Sequence, residues 1–430
     1  MNLVKNFIFN TRIINIIFFG LFLRVIALIF FKHPIRINPG EASQSTIPFG
    51  DTDIYIRIGN ELFDKNSEFY INGLVSSPVH MPGYPTWIYL LNFLSQNQIG
   101  YLTGDIIISG ITIYIIYQLS QVIFNDEWVS KISAFIFSIY PFSIFYSISG
   151  LSETLYVFLI LSSILLFYKN YFFYGSIVII LSIYVKGISD YIAPILILIF
   201  SFFVYKDTFK QGLQRFFLYF LTYCVIMSPW WIHNWNKYNK FVRTDLAYGY
   251  HIFSGNNIMN QSGGGIGGID VDHSKVIERF NLEYKVYQFN KEGILVERNS
   301  SDHIKSDKVF KEKAYNYILE DPNRFLKVSI KKFYRFWSFV PYSKEYKNLT
   351  YSITSFVSFG FIFFLSIIFL LQNFKSYFYK ISPLLTFLGI ITAIYTLTIV
   401  SLRYRYPIEP IMIIFASFSL KRILKFYKLL

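Results

Sequence analysis

Eleven apolar stretches divide this chain of 430 residues, near 13–32, 84–97, 102–124, 129–147, 151–168, 170–186, 189–205, 213–230, 350–371, 381–400 and 406–420. Most approach the roughly 20 residues that an α-helix needs to cross the hydrocarbon core of a bilayer. Inside lipid every backbone N–H and C=O must find its partner within the segment, so such runs are helices. The expected fold class is an all-α polytopic membrane protein with about 10–11 transmembrane helices, joined by loops that carry interfacial helices. Composition excludes the soluble alternative: 53% of residues are hydrophobic, 15% are charged, and mean hydropathy is +0.41.

A net charge of +14 would otherwise point to nucleic acid. In a polytopic chain Lys and Arg gather instead in cytoplasmic loops. Lys5 and Arg12 place the N-terminus inside, as do Lys206, Lys210 and Arg215 for the 206–215 loop. Lys375 and Lys380, then Lys421, Arg422, Lys425 and Lys428, do the same for the last two flanks. The loop 33–82, with Glu41, Asp51, Asp53, Glu61, Asp64 and Glu68, and the stretch 231–347 then lie outside. Eight crossings before residue 231 would contradict this, so an odd number is expected, and the short stretch 84–97 is the first suspect. Arg24 sits mid-run in the first stretch with no small-residue cleavage pattern after it, which reads as a retained span. Cys224 is the sole cysteine, so no intrachain disulfide forms.

Three regions follow: a membrane module 1–230 carrying the outer loop 33–82, an extracytoplasmic region 231–347, and C-terminal helices 348–430. Within 307–337 the apolar residues recur at helical spacing, Asp321–Pro322 reads as N-cap and N1, and the Lys, Arg and aromatic pattern suits a helix on a membrane surface.

The residues able to carry chemistry lie at the outer ends of the runs. Asp51 and Asp53 precede an amphipathic segment with Ile54, Ile58 and Leu62 on one stripe. They read either as an acidic loop with an N-cap, or as a carboxylate poised at a lipid headgroup to act as general base. His80-Met-Pro-Gly-Tyr84-Pro85 is a rigid turn closing that loop. Glu153 is an anion in a first helical turn or faces the same cavity as Asp51. Lys186 and Asp190 stand four apart and pair if one helix carries both. His233 and Asn234 end the run Pro229–Trp235, Asn256 opens a glycine-rich loop, and Gly263, Gly265 and Gly268 match G-x-G-x-x-G without the strand and helix of a dinucleotide site. Arg403 and Arg405 read as headgroup anchors or as guanidinium forks for a lipid phosphate, the second favoured because outer cations oppose the positive-inside tendency. No histidine spacing fits zinc; Asp270–His273 is a weak cation candidate at best, and no metal ligand is assigned.

In order, Asp51-Thr-Asp-Ile-Tyr55, His80–Pro85, Leu151-Ser-Glu153, Pro229–Asn234, Gly255–Asn257 and Arg403-Tyr-Arg-Tyr-Pro407 resemble the lipid-linked-sugar glycosyltransferases of the GT-C fold. The nearest branch is glycosyltransferase family 39, with the protein O-mannosyltransferases and the aminoarabinose transferases of lipid A. The resemblance implies a hexosyl- or pentosyltransferase of the cytoplasmic (inner) membrane, with both termini inside. Its donor is a sugar on polyprenyl phosphate, and its acceptor is a glycolipid, glycan or protein. Asp51 matches the catalytic carboxylate, with Asp53 and Glu153 as further acidic positions. Tyr55, His80, Tyr84, Lys186, His233, Asn256, Arg403 and Arg405 fall at substrate-binding positions. The family often has Arg where this chain has His80 and His233, and an Arg-Pro pair where Lys186 stands. Arginines or a divalent cation would stabilise the departing phosphate. A lipid or oligosaccharide flippase, and an O-antigen polymerase or ligase, are the alternatives. The first would show internal duplication, and the second would depend on outer arginines more than on Asp51.

Overall fold

The computed structural model describes residues 11–30, 50–63, 80–96, 100–264, 288–289, 295–296, 300–342, 346 and 348–427. It is helical apart from one two-residue strand pair. The elements that matter below are α1 (Ile13–Phe30), α2 (Gly50–Phe63), α3 (Gly83–Ser95), α4 (Gly100–Phe124), α5 (Glu127–Ile139), α6 (Pro141–Ser147), α7 (Glu153–Tyr168), α8 (Phe172–Val185), α9 (Ser189–Ile199), α10 (Phe209–Tyr238), α11 (Tyr248–Asn256), α12 (Ser300–Glu320), α13 (Pro322–Phe336), α14 (Leu349–Leu397), α15 (Leu402–Arg405) and α16 (Glu409–Phe426).

Among the described residues, α1, α4, α10 and α14 are long and apolar enough to cross a membrane, and α5 with α6 passes the same length and composition test as a pair bent by 57°. The bend falls at Pro141, whose ring cannot continue the preceding helix. Helices α7 and α8, and α9 with its π-helical extension Phe200–Val204, are shorter apolar helices. Helix α3 has 13 residues, about 20 Å of rise, which is less than a hydrocarbon core.

Helix α14 contains two of the expected runs without a break in helical backbone, but it is not straight. Phe336 meets Tyr395 at 6.5 Å and Trp337 meets Phe363 at 5.7 Å. A straight helix would separate positions 363 and 395 by about 48 Å. The chain therefore reverses near 372–380, where Tyr377 packs on Phe124 and Tyr379 on Phe203 at the far end of the bundle.

Helix α4 is the central post, packed by α1, α3, α5 and α7. Arg24 of α1 is fully buried there, with no carboxylate partner among the described residues. Its guanidinium donates to Ser109 Oγ (2.7 Å), Ser143 Oγ (2.9 Å), and the carbonyls of Ser138 (3.0 Å) and Gly20 (2.9 Å). A cation in an apolar span is tolerated because each guanidinium nitrogen reaches an oxygen, and it pins α1 to three neighbours.

Candidate active site at the ends of the helices

Asp51 sits in the first turn of α2, which begins at Gly50, so it is not the N-cap of a helix starting near Ile54. Its helix is fastened by Thr52, whose hydroxyl donates to the Gly150 carbonyl at 2.9 Å. Gly150 has φ +67°, and a Cβ there would stand 2.9 Å from Thr52 and Tyr101 side chains. Only glycine takes that turn at no steric cost. It brings the start of α7, and with it Glu153, beneath Asp51.

Arg403, in α15 between the last two long helices, joins the two acids. Its Nε donates to Glu153 Oε1 and its Nη1 to Asp51 Oδ2. Lys186, at the C-terminal end of α8, reaches the same Glu153 oxygen at 2.6 Å and lies over the rings of Tyr156 and Tyr404 at 5.7 and 6.0 Å. Two carboxylates and two cations from four elements thus form one charge-balanced cluster. Glu153 is its base, with a side chain 0% exposed, whereas Asp51 is 41% and Arg403 22% exposed. Burial alone would raise the Asp51 carboxyl; Arg403 beside it outweighs burial and holds it below the ordinary range.

Asp51, Lys186 and Arg403 of the cluster form one wall of a cavity of about 1100 Å³. Tyr55, His80, Lys186, Tyr250, His251 and Tyr404 also face it. Tyr55 stands one turn after Asp51 and meets His80 and Tyr84 edge-on, both at 5.2 Å. Burial lowers His80 below its ordinary value, opposed by the Asp51 carboxylate and seconded by the cations Arg403 and Lys186. Burial lowers His251 to about 4. Asp245 and Asp307 face the opposite side, and burial pushes Asp245 up to about 7. A second cavity of about 420 Å³ lies on the other side of Arg403. Phe142, Phe145, Tyr146, Tyr342 and Tyr351 line it, with Arg335 at its edge.

The segment that carries Arg403 is itself held. Lys332 of α13, fully buried, donates to Asn256 Oδ1 (2.7 Å), Thr398 O (2.8 Å) and Leu397 O (3.3 Å). Asn256 donates to the Leu397 carbonyl as well, at 3.0 Å. Both groups occupy the orphan carbonyls at the end of α14. Gly255 makes the approach feasible: a Cβ there would stand 1.7 Å from the Thr398 oxygen.

Asp51, Tyr55, His80, Lys186 and Arg403 therefore line one cavity. Other expectations change. Glu153 is a counter-ion behind Arg403 and Lys186 and does not reach the cavity. Arg405 is fully buried away from it, bonded to Glu409 (2.7 Å) and the Phe336 carbonyl (3.2 Å) and stacked on Phe359 at 3.4 Å. Tyr84 lies beneath the floor and donates to Asp105 at 2.6 Å. His233 stacks on Trp230 within α10, and Asn256 is a cap, so neither lines the cavity. Lys186 and Asp190 do not pair, because the helix breaks between them; Asp190 takes Arg243 at 2.8 Å and the Tyr223 hydroxyl at 2.7 Å. The side chain of Asp53 and the stretch 270–273 lie outside the described residues. Among the described residues no three His, Cys, Asp or Glu side chains converge as a metal site. The sequence reading missed the roles of His251, Asp245 and Lys332; the one legible signal was a lone lysine in the apolar face of α13.

No family model and no curated protein matches the chain, but solved structures do. The oligosaccharyltransferase of Archaeoglobus fulgidus in its apo form aligns with TM-score 0.55 at 15% identity, over 96% of this chain and 50% of that one. The chain has a GT-C-like fold. The archaeal oligosaccharyltransferase AglB from Archaeoglobus fulgidus, in complex with an inhibitory peptide and a dolichol-phosphate, aligns with TM-score 0.50 at 14% identity over 94% and 50% of the two chains. The Archaeoglobus fulgidus enzyme tethered to an acceptor peptide with the NVT sequon gives 0.52 at 14% over the same shares. The chain thus spans about half the length of these proteins, and at such identity the likeness is one of fold.

Proposed function

We propose that this protein is an integral-membrane glycosyltransferase that moves a sugar from a polyprenyl-phosphate carrier to an acceptor hydroxyl on the extracytoplasmic face of the cytoplasmic membrane, with Asp51 as general base. The observation that carries the reading is Arg403, a single guanidinium that touches Asp51 at the cavity wall and lines a second, aromatic cavity on its other side. The solved relatives bind dolichol-phosphate and an acceptor peptide, which supports the same two classes of ligand here.

In the resting cluster Asp51 is a weak base, because Arg403 stabilises its anion. An arriving phosphate competes for the Asp51 side of the guanidinium, while buried Glu153 keeps hold of Nε. Losing that partner raises the basicity of Asp51. The acceptor oxygen then attacks the anomeric carbon, its proton passes to Asp51, and the bond from that carbon to the phosphate oxygen breaks with its electron pair going to the phosphate. Arg403 and Lys186 face the developing charge. The apolar cavity beside Arg403 suits the first isoprene units of the carrier. The acidic and cationic side chains of the cluster already satisfy one another, so no step is assigned to a divalent cation.

Mass spectrometry of glycans and glycolipids from cells with and without the gene tests the reading. A glycosylated product should vanish and its lipid-linked donor should accumulate on the outer leaflet. Donor accumulating only on the inner leaflet would make the protein a flippase instead.

A further inference from the structure

Helix α13 divides into three sectors. Val328, Ser329, Lys332 and Phe336 are buried against the protein. Leu326, Ile330, Phe333 and Tyr334 are 59%, 49%, 45% and 70% exposed, at spacings of four, three and one that make a single apolar stripe. Lys327 and Lys331 are exposed beside that stripe, and the helix contains no acidic residue after its N-cap Asp321, whose carboxylate accepts from Arg324 N at 2.9 Å.

The level of this helix in the bundle identifies what faces the stripe. Trp337, which follows α13, packs on Phe363, and Phe339 packs on Phe356, Phe363 and Phe364 at 5.8, 5.3 and 5.6 Å. Phe363 stands about four turns inside α14. Over those turns α14 turns Leu349, Ile353, Phe356, Val357 and Phe361 outward, 48–77% exposed. That surface belongs to a helix long and apolar enough to span a membrane. The C-terminal end of α13 is therefore level with a lipid-facing surface and continues it.

We propose that α13 is a bilayer anchor: its Leu326–Tyr334 stripe enters the acyl region of the leaflet nearest the cavity, and Lys327 and Lys331 bind the phosphates of anionic phospholipids at its edge. This goes beyond the glycosyltransferase reading and does not depend on it. The arrangement couples the membrane to the site, since the opposite face of the same helix presents Lys332 to the carbonyls that precede Arg403.

The test uses the full chain in a Cys224→Ala background, with single cysteines at Ile330, Phe333, Asn323 and Val357 carrying a nitroxide. The protein is placed in nanodiscs of phosphatidylcholine, with or without phosphatidylglycerol. Spin-label relaxation by oxygen and by a water-soluble nickel chelate reports depth. Labels at 330 and 333 should follow Val357, with an oxygen-to-nickel ratio severalfold above that at Asn323. Labels at 330 and 333 that follow Asn323 would overturn the anchor, as would protection from both reagents, the signature of a second protein copy on the stripe. Phosphatidylglycerol should deepen the 330 label, and K327Q with K331Q should abolish that change while inorganic phosphate has no effect. Equal depth in both lipids would overturn the headgroup assignment.

Discussion

Arg403 stands 352 positions after Asp51 in the chain and donates a hydrogen bond to its carboxylate at the cavity wall. The same guanidinium is anchored from behind by Glu153, so Asp51 is held by a cation that is itself immobilised.

Asp51→Asn should keep the protein inserted and folded while transfer falls by about 10²–10⁴-fold, the usual contribution of a general base. The variant keeps the shape but loses the ion pair with Arg403 at a half-exposed position, so its melting temperature in detergent should fall only modestly. Quantified product by mass spectrometry, beside the melt, checks both parts; near-normal transfer would remove Asp51 from the mechanism.

Arg403 and Arg405 should separate. Arg405→Leu leaves buried Glu409 without its cation, with the Tyr140 hydroxyl at 2.8 Å as its remaining partner among the described residues, and should destabilise by about 3–5 kcal/mol. Arg403→Gln lies at the cavity and should abolish transfer with a smaller loss of stability. Thermal melts and binding of a polyprenyl phosphate to the two purified variants decide the matter. Intact lipid binding by Arg403→Gln would contradict the phosphate role.

Glu153→Gln should weaken the cluster through its partners. Arg403 and Lys186 lose their buried counter-ion, and the guanidinium swings towards Asp51. The expected outcome is lower turnover together with a melting temperature reduced more than in Asp51→Asn, because Glu153 is 0% exposed. A double-mutant cycle between Glu153→Gln and Lys186→Met should give a coupling above about 1 kcal/mol.

Lys332 should make stability depend on pH. Burial, and then the neighbouring Arg324, lower its pKa from 10.5 to about 7. Between these values the unfolded chain carries the proton and the folded one does not, so stability rises with pH across that window. Below about 7 both forms are protonated and the dependence ends. The gain from pH 7 to 10 should be on the order of a few kcal/mol in wild type and absent in Lys332→Met. Melts of both proteins across that range measure it, and parallel curves would show that the buried amine keeps its proton.

Asp51 adds a second limb of the same sign at the acid end. Its pKa is lowered on folding, so its contribution is fully present above the ordinary carboxylate range and is lost as pH falls through the folded value. Acid melts of wild type and Asp51→Asn should converge only at strongly acidic pH. Convergence near pH 6 would mean that Arg403 does not hold the carboxylate in solution.

The membrane-protein class, the N-cap at Asp321 with Pro322, and the helical character of 350–371 and 381–400 were legible in the sequence. Each is a local property: burial of a run in lipid depends on its summed hydropathy, and a cap depends on residues within one turn. The apolar runs also marked their own polar ends, which is why Asp51, His80, Lys186 and Arg403 could be grouped. Which charge meets which was decided by the tertiary structure alone. Asp51, Glu153, Lys186 and Arg403 come from four separate elements, and their pairing is set by the turn at Gly150 and by the capped end of α14. Spacing favoured Lys186 with Asp190, but the break at the end of α8 separated them and left each to a distant partner. Arg405, two residues from Arg403, points into the core because consecutive side chains on a short helix diverge by about 100°. Hydropathy adds along the chain; ion pairs form in space, where sequence distance carries no force.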